Sequence, residues 1–315
     1  MLHVRLVVPD HLEPEVRSAL DGEPIVNIVW NLQVVERPSG SLVLFDLPPE
    51  SANRVIGKLR EIELHEHGSI SVDRIVTTLS ATADAVEAAS PGDPSEAVFW
   101  EEVKERVADE AALTVTWTLL VVIAVLIASV GLLTDATVLI VGAMAVGPEF
   151  GPVAAIAIGL HVRRYGWVSR GLIDLAVGFG FSLVAAFVMT WLIDRAGLTP
   201  DAFTAGKTPQ TDFVRDAGFF SALVACLAGV AGMLSLTLSK SSTLVGVLIS
   251  VTTVPAAAGV AVYGAHGKWV EARGSALQLL LNLGVLVVTG VITLAVQRRV
   301  ELARARRHNP TRQPG

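Results

Sequence analysis

Apolar and polar positions alternate along the first quarter of the chain and then cease to. LHVRLVV at residues 2 to 8 and SLVLFDL from Ser41 read as strands with one buried face, as do IVNIVWNLQVV from Ile25 and SISVDRIV from Ser69. The turn-like RPSG joins the second run to the third. Between strands, Leu12, Val16 and Leu20 recur on one helical face, and Ala52, Val55, Ile56, Leu59 and Ile62 predict a helix over 51–64. The order β-α-β-β-α-β predicts an α+β ferredoxin-like soluble domain at 1–80, with two helices over one face of a four-stranded antiparallel sheet.

From residue 113 the pattern changes to continuous apolar runs at 113–133, 136–160, 171–193, 218–238, 243–264 and 275–296. A bilayer crossing takes roughly 20 residues, so these predict an α-helical polytopic membrane domain of six spans within 113–297. Thr134 and Asp135 leave room only for a tight turn between the first two spans. Residues 81–112 read as a linker, SPGDPSE from Ser90, followed by an amphipathic connector helix. In that helix Val98, Phe99, Val103 and Val107 recur among acidic residues, and it lies near the membrane or on the soluble domain. A basic tail occupies 298–315.

Composition agrees with embedding in a lipid bilayer: the chain has 315 residues, 52% hydrophobic and 17% charged, with a mean hydropathy of +0.57. The single cysteine, Cys226, excludes an internal disulfide and suits packing. MLHVRLVVPDH lacks the pattern of a cleavable leader. His65 and His67 lack a third ligand at useful spacing, so no metal or other cofactor is expected, and they read as an exposed helix end. Placing both termini in the cytoplasm gathers His161, Arg163, Arg164, Arg170, Lys240 and the tail arginines Arg298, Arg299, Arg304, Arg306 and Arg307 on the inner side. That orientation accounts for the basic tail without nucleic acid.

The chemistry concentrates in AVGPEFGPV, residues 145 to 153. Pro148 has no N–H for the carbonyl of Met144, and Pro152 has none for the carbonyl of Pro148. Gly147 and Gly151 precede the two prolines and let the backbone leave the helical region. The second span is therefore expected to be bent or re-entrant near its middle. There it carries Glu149, where a charge in hydrocarbon costs several kcal/mol. Three readings stay open: a proton or cation site, a structural hydrogen-bonding acid, or the tip of a re-entrant loop.

Pro255 predicts a matching disturbance in the fifth span, with Ser250, Thr252 and Thr253 as nearby hydroxyls. Aligning the segment from Gly131 with that from Gly232 places Pro152 over Pro255, which suggests two inverted three-span repeats. Ala143, Gly147, Gly151, Ala155 and Gly159 recur every four residues and suit close helix packing. Asn282 reads as packing glue between spans, Asp174 as an interfacial helix-end residue, and Trp117 and Trp191 as interface markers. None of the spans carries HExxH or paired carboxylates, so an enzyme is not expected.

VLIASVGLLTDATVLIVGAMAVGPEFGPVAAIAIGL from Val125 and STLVGVLISVTTVPAAAGV from Ser242 resemble the hydrophobic membrane domain of unknown function family 389. Gly142, Ala143, Met144, Gly151 and Pro152 carry the resemblance. It implies a multispanning protein of the prokaryotic inner membrane and supplies no substrate or catalytic residue. Where members of that family commonly have an uncharged Ser-Pro-Leu type segment this chain has GPEF, so the resemblance lends Glu149 no role.

The leading expectation is a secondary transporter or ion pathway with Glu149 as coupling residue, a small solute or cation as partner, and scope for a homo-oligomer. The competing expectation is a non-transporting scaffold or sensor whose soluble domain recruits or regulates partners.

Overall fold

The computed structural model describes residues 1–75, 77–90, 99–110, 113–206, 210–211, 218–237 and 243–308, with backbone alone at 104, 106, 108–110, 243–252, 301–302 and 304–308. Most of the SPGDPSE linker, Lys240, and the side chains of Ser250, Thr252, Arg304, Arg306 and Arg307 lie outside the described residues. The chain divides into two compact units, Met1–Val103 with Val300–Gly315, and Lys104–Arg299.

The first unit is a mixed α/β sheet domain. β1 (Leu2–Val8) turns Leu2, Val4, Leu6 and Val8 inward, the period-two burial of a strand with one covered face. A 3-10 turn at Asp10–Leu12 leads into α1 (Glu13–Leu20), which buries Val16 and Leu20. β2 (Val26–Glu36) and β3 (Ser39–Leu47) follow, and all pairings are antiparallel in the order β2-β3-β1-β4. The turn between β2 and β3 is only Arg37-Pro38, joined by a cis peptide, so Ser39 and Gly40 of the predicted RPSG turn belong to the strand. Gly40 is required there, because a β-carbon would collide with the carbonyl of Val8.

α2 (Pro49–Glu61) buries Ala52, Val55, Ile56 and Leu59 against Phe45 and Leu47. Glu50 lies in its first turn, and Lys58 and Arg60 in its last, matching the helix dipole. Glu63, left-handed at φ 57°, separates it from the short α3 (Leu64–His67), which holds His65 and His67. β4 (Ser69–Arg74) completes the sheet. α4 (Ala81–Ala89) occupies part of the segment read as linker, its start capped by Ser80 Oγ, which accepts from the Ala83 N–H at 3.3 Å.

Phe99 enters this core, and α5 (Trp100–Glu110) begins on it. Asn53 Oδ1 accepts from the Trp100 N–H (3.1 Å), while Arg60 and Arg74 pair with Glu101 and Glu102. The acidic start of the connector helix is thus engaged with the sheet domain.

The second unit is helical. α6 (Val115–Leu133) is capped by Thr114, whose Oγ1 accepts from the Trp117 N–H at 3.0 Å. Its turn into α7 (Thr137–Val146) is braced by Asp135, which accepts from Thr211 Oγ1 at 2.9 Å. α8 (Phe150–His161) is set at 57° to α7. α9 (Tyr165–Arg195), the short α10 (Asp201–Thr204), α11 (Phe219–Thr237), α12 (Thr243–Ala265) and α13 (Trp269–His308) follow.

Among the described residues, four helices are long and apolar enough to cross a membrane, and up to five if the bent α7–α8 pair is one span. The predicted fifth run is represented by α12, whose described side chains begin at Thr253. Many small residues are buried in this unit: Ala124, Ala128, Ala154, Ala157, Ala225 and Ala257 are enclosed while Phe181, Val184, Leu172 and Leu280 face outward. Such a surface suits lipid, and small residues inside let the helix backbones approach closely.

Candidate functional site

The elbow between α7 and α8 arises from the chemistry of its two prolines. Gly147 ends α7 in an extended conformation (φ −69°, ψ 121°), Pro148 follows, and Glu149 stands immediately before α8. Pro152 cannot donate to the Pro148 carbonyl, and another group takes that acceptor: Trp117 Nε1 of α6 donates to it at 3.0 Å. The carbonyl that Pro152 leaves without its helical partner therefore has a donor from another helix.

Trp117 is accordingly an internal brace, 7% exposed, and not the interface marker its indole suggested. The reading from type alone failed because it counted the ring's amphipathic character and overlooked a nearby orphaned acceptor. Its ring lies against α9, where a β-carbon at Gly178 would come within 2.5 Å of it.

Glu149 is fully buried. Thr253 Oγ1 on α12, also fully buried, donates to Glu149 Oε1 at 2.6 Å. α12 packs on α6, α7 and α9 as well as on α8, so this bond crosses between two proline-bearing helices 104 residues apart in sequence. Pro255 lies inside α12, two residues beyond Thr253. A threonine hydroxyl can donate to a carboxylate or accept from a carboxylic acid, so the pair accommodates both protonation states.

Ala143, Gly147, Gly151, Ala155 and Gly159 are all buried, but the elbow divides them. The four-residue spacing therefore does not form one continuous face: it holds along a straight helix, and this one breaks at 147–149. Gly159 faces the start of α9, where a β-carbon would lie 3.0 Å from Trp167 Cβ.

Asp174 is buried at 2% exposure, not interfacial. Its place one turn from Arg170 suggested a helix end, but α9 begins at Tyr165 and Asp174 lies on its enclosed face. Asn282 is fully buried on α13 and accepts from Ser221 Oγ of α11 at 3.1 Å; Gln278 Nε2 donates to the same Ser221 oxygen at 3.2 Å. A third bond between these helices runs from Gln297 Nε2 to Thr237 Oγ1 at 2.7 Å. Gln278 within the last apolar run and Gln297 just past its end were the available sequence signal for these contacts. Among the described residues there is no group of three or more His, Cys, Asp or Glu able to hold a metal.

These features define a membrane protein with several crossings and an N-terminal mixed α/β sheet domain. Residues 144–288 match the family model named "Domain of unknown function (DUF389)", so a DUF389 domain is present and includes the elbow, Glu149 and Thr253. The chain is also similar to "Uncharacterized protein MJ0678" of Methanocaldococcus jannaschii, 24% identical over 271 residues, 82% of this chain and 78% of that protein. No solved structure matches the chain.

Proposed function

We propose that this protein is a secondary transporter or ion pathway in which Glu149 binds and releases the coupling proton or cation. The observation that carries the reading is the bond from Thr253 to a fully buried Glu149 across two proline-bearing helices. Placing an ionisable group there is costly, and a site that exchanges a proton or cation accounts for that cost. The chain drives no chemical step and needs no cofactor; its partners are a small solute or cation, a prokaryotic inner membrane and a second copy of itself.

The same reading takes the membrane domain as six spans in two inverted halves, α6 to α9 and α11 to α13, with both termini cytoplasmic. Pro152 and Pro255 occupy corresponding helices in that scheme. The sheet order β2-β3-β1-β4, with helices after β1 and β3, supports a ferredoxin-like regulatory domain.

The test is reconstitution into liposomes with an imposed pH gradient and a panel of alkali cations and organic anions. The native protein should give pH-dependent flux and E149Q should lose it, by about a hundredfold for removal of a positioned proton carrier. Absence of flux from both, with both folded, would overturn the reading.

The scaffold reading draws on one observation: edge strand β2 exposes Ile28, Val29, Leu32 and Val34. Exposed apolar edges recruit other chains. It is favoured if E149Q leaves cellular function intact while Leu32→Lys abolishes it.

A further inference from the structure

We infer that Asp174 is the second carboxyl of the Glu149 site, so that the elbow region holds a two-acid station for one proton or one small cation. This rests on the transport reading above and extends it to another helix. Asp174 is 2% exposed, and among the described residues its Oδ2 has no hydrogen-bond partner. A buried polar atom left unmatched costs free energy, and in a membrane span it marks a functional group more readily than a packing device. Asp46 of the sheet domain, also buried, shows the contrasting arrangement: Asn27 Nδ2 donates to one oxygen at 2.7 Å and His3 Nδ1 lies 2.6 Å from the other.

The depth of Asp174 follows from the register of α8 against α9. These helices run antiparallel about the turn at 162–164. Gly159 faces Trp167 and Val168, and a β-carbon at Gly171 would lie 2.6 Å from the Pro152 carbonyl oxygen and 2.8 Å from Ile156 Cγ1. Continuing along α9 toward the start of α8, Asp174 comes level with Gly151, and Gly178 with the Trp117 ring whose indole holds Pro148. Glu149 and Asp174 therefore lie within about one helical pitch of the same depth, roughly 5 Å.

Gly171 and Gly178, one turn to either side of Asp174, put this face of α9 against α8 and α6. α12, which supplies Thr253 to Glu149, packs on α9 as well. Among the described residues, the charged and polar groups around this layer are Arg170, exposed one turn earlier on α9 and acting on Asp174, Glu149 at the head of α8, Thr253 from α12 and Trp117 from α6. Two acids that interact by more than about one pK unit titrate as a pair, so the inferred site loads in two linked steps and a change at either acid is felt at the other.

The experiment is an infrared difference titration of the full-length protein in detergent, following the C=O band of protonated carboxyls in native, E149Q and D174N forms. Proton flux is measured in parallel on the same preparations in liposomes under a pH gradient. The expected result is that E149Q moves the midpoint of the Asp174 band by about one pH unit or more, the scale at which sites count as coupled. D174N should do the same to Glu149 and reduce flux about a hundredfold.

The E149Q measurement requires no change at Asp174, so it decides the question even where D174N does not fold. An Asp174 band that is absent, or whose midpoint is unmoved in E149Q, overturns the inference. Full flux in D174N also overturns it and leaves Glu149 transport standing. Linked bands with no flux in the native protein would retain the two-acid site and overturn the transport reading.

Discussion

The two units differ in what they leave outside and in how many small residues they enclose. In the sheet unit the enclosed side chains are large, Phe45, Leu47, Leu59 and Leu64 among them, and charged groups such as Arg60 and Glu101 pair near the surface. In the helical unit alanines and glycines share the enclosed positions with larger residues such as Leu132, Ile140 and Ile158 and with isolated Ser, Thr, Asn, Asp and Glu, while Phe181, Val184 and Leu280 point outward. One unit excludes water from its apolar residues by folding them inward. The other can leave them outside because its surroundings are apolar, and its interior is then free to carry polar groups.

This contrast predicts where damage falls. Phe45→Ala should cost about 3–5 kcal/mol in the sheet unit, read as a collapse of amide exchange protection across β1 and β3 in the full chain. Phe181→Ala, an equal truncation on an outward face, should leave α9 protected; similar losses from both would end the distinction. Gly178→Val drives a branched side chain into the Trp117 ring and should lower stability by about 1–3 kcal/mol, measured as earlier thermal unfolding in detergent.

Thr253→Val keeps shape but removes the donor to Glu149, with an expected loss of about 1–3 kcal/mol and altered pH dependence of flux. Thr253→Ser should preserve both. Arg60→Ala breaks a partly exposed ion pair and should cost under about 1 kcal/mol, seen only as faster amide exchange at the start of α5.

Much of this organisation was legible in the pattern of the chain. Alternation marked β1 and β3, and helical spacing marked α2, because in each case one face meets a core and the other meets water. The broken span was legible for a covalent reason: proline's missing N–H does not depend on tertiary context. Partners were not. Nothing near Trp117 in sequence indicates that the Pro148 carbonyl, 31 residues away, would be its acceptor. Asp174 read as superficial because a nearby arginine suggested a boundary, whereas the depth of α9 is set by its pairing with α8. Residue type announces a cost, and only the fold shows which neighbour offsets it.

The indole bond to Pro148 also fixes which parts can slide. The elbow cannot straighten while α6 stays in place without giving up that bond, so α6 and the bend travel as one piece. In the transport reading proposed above, a rocking that parts this piece from α12 breaks the Thr253–Glu149 contact first.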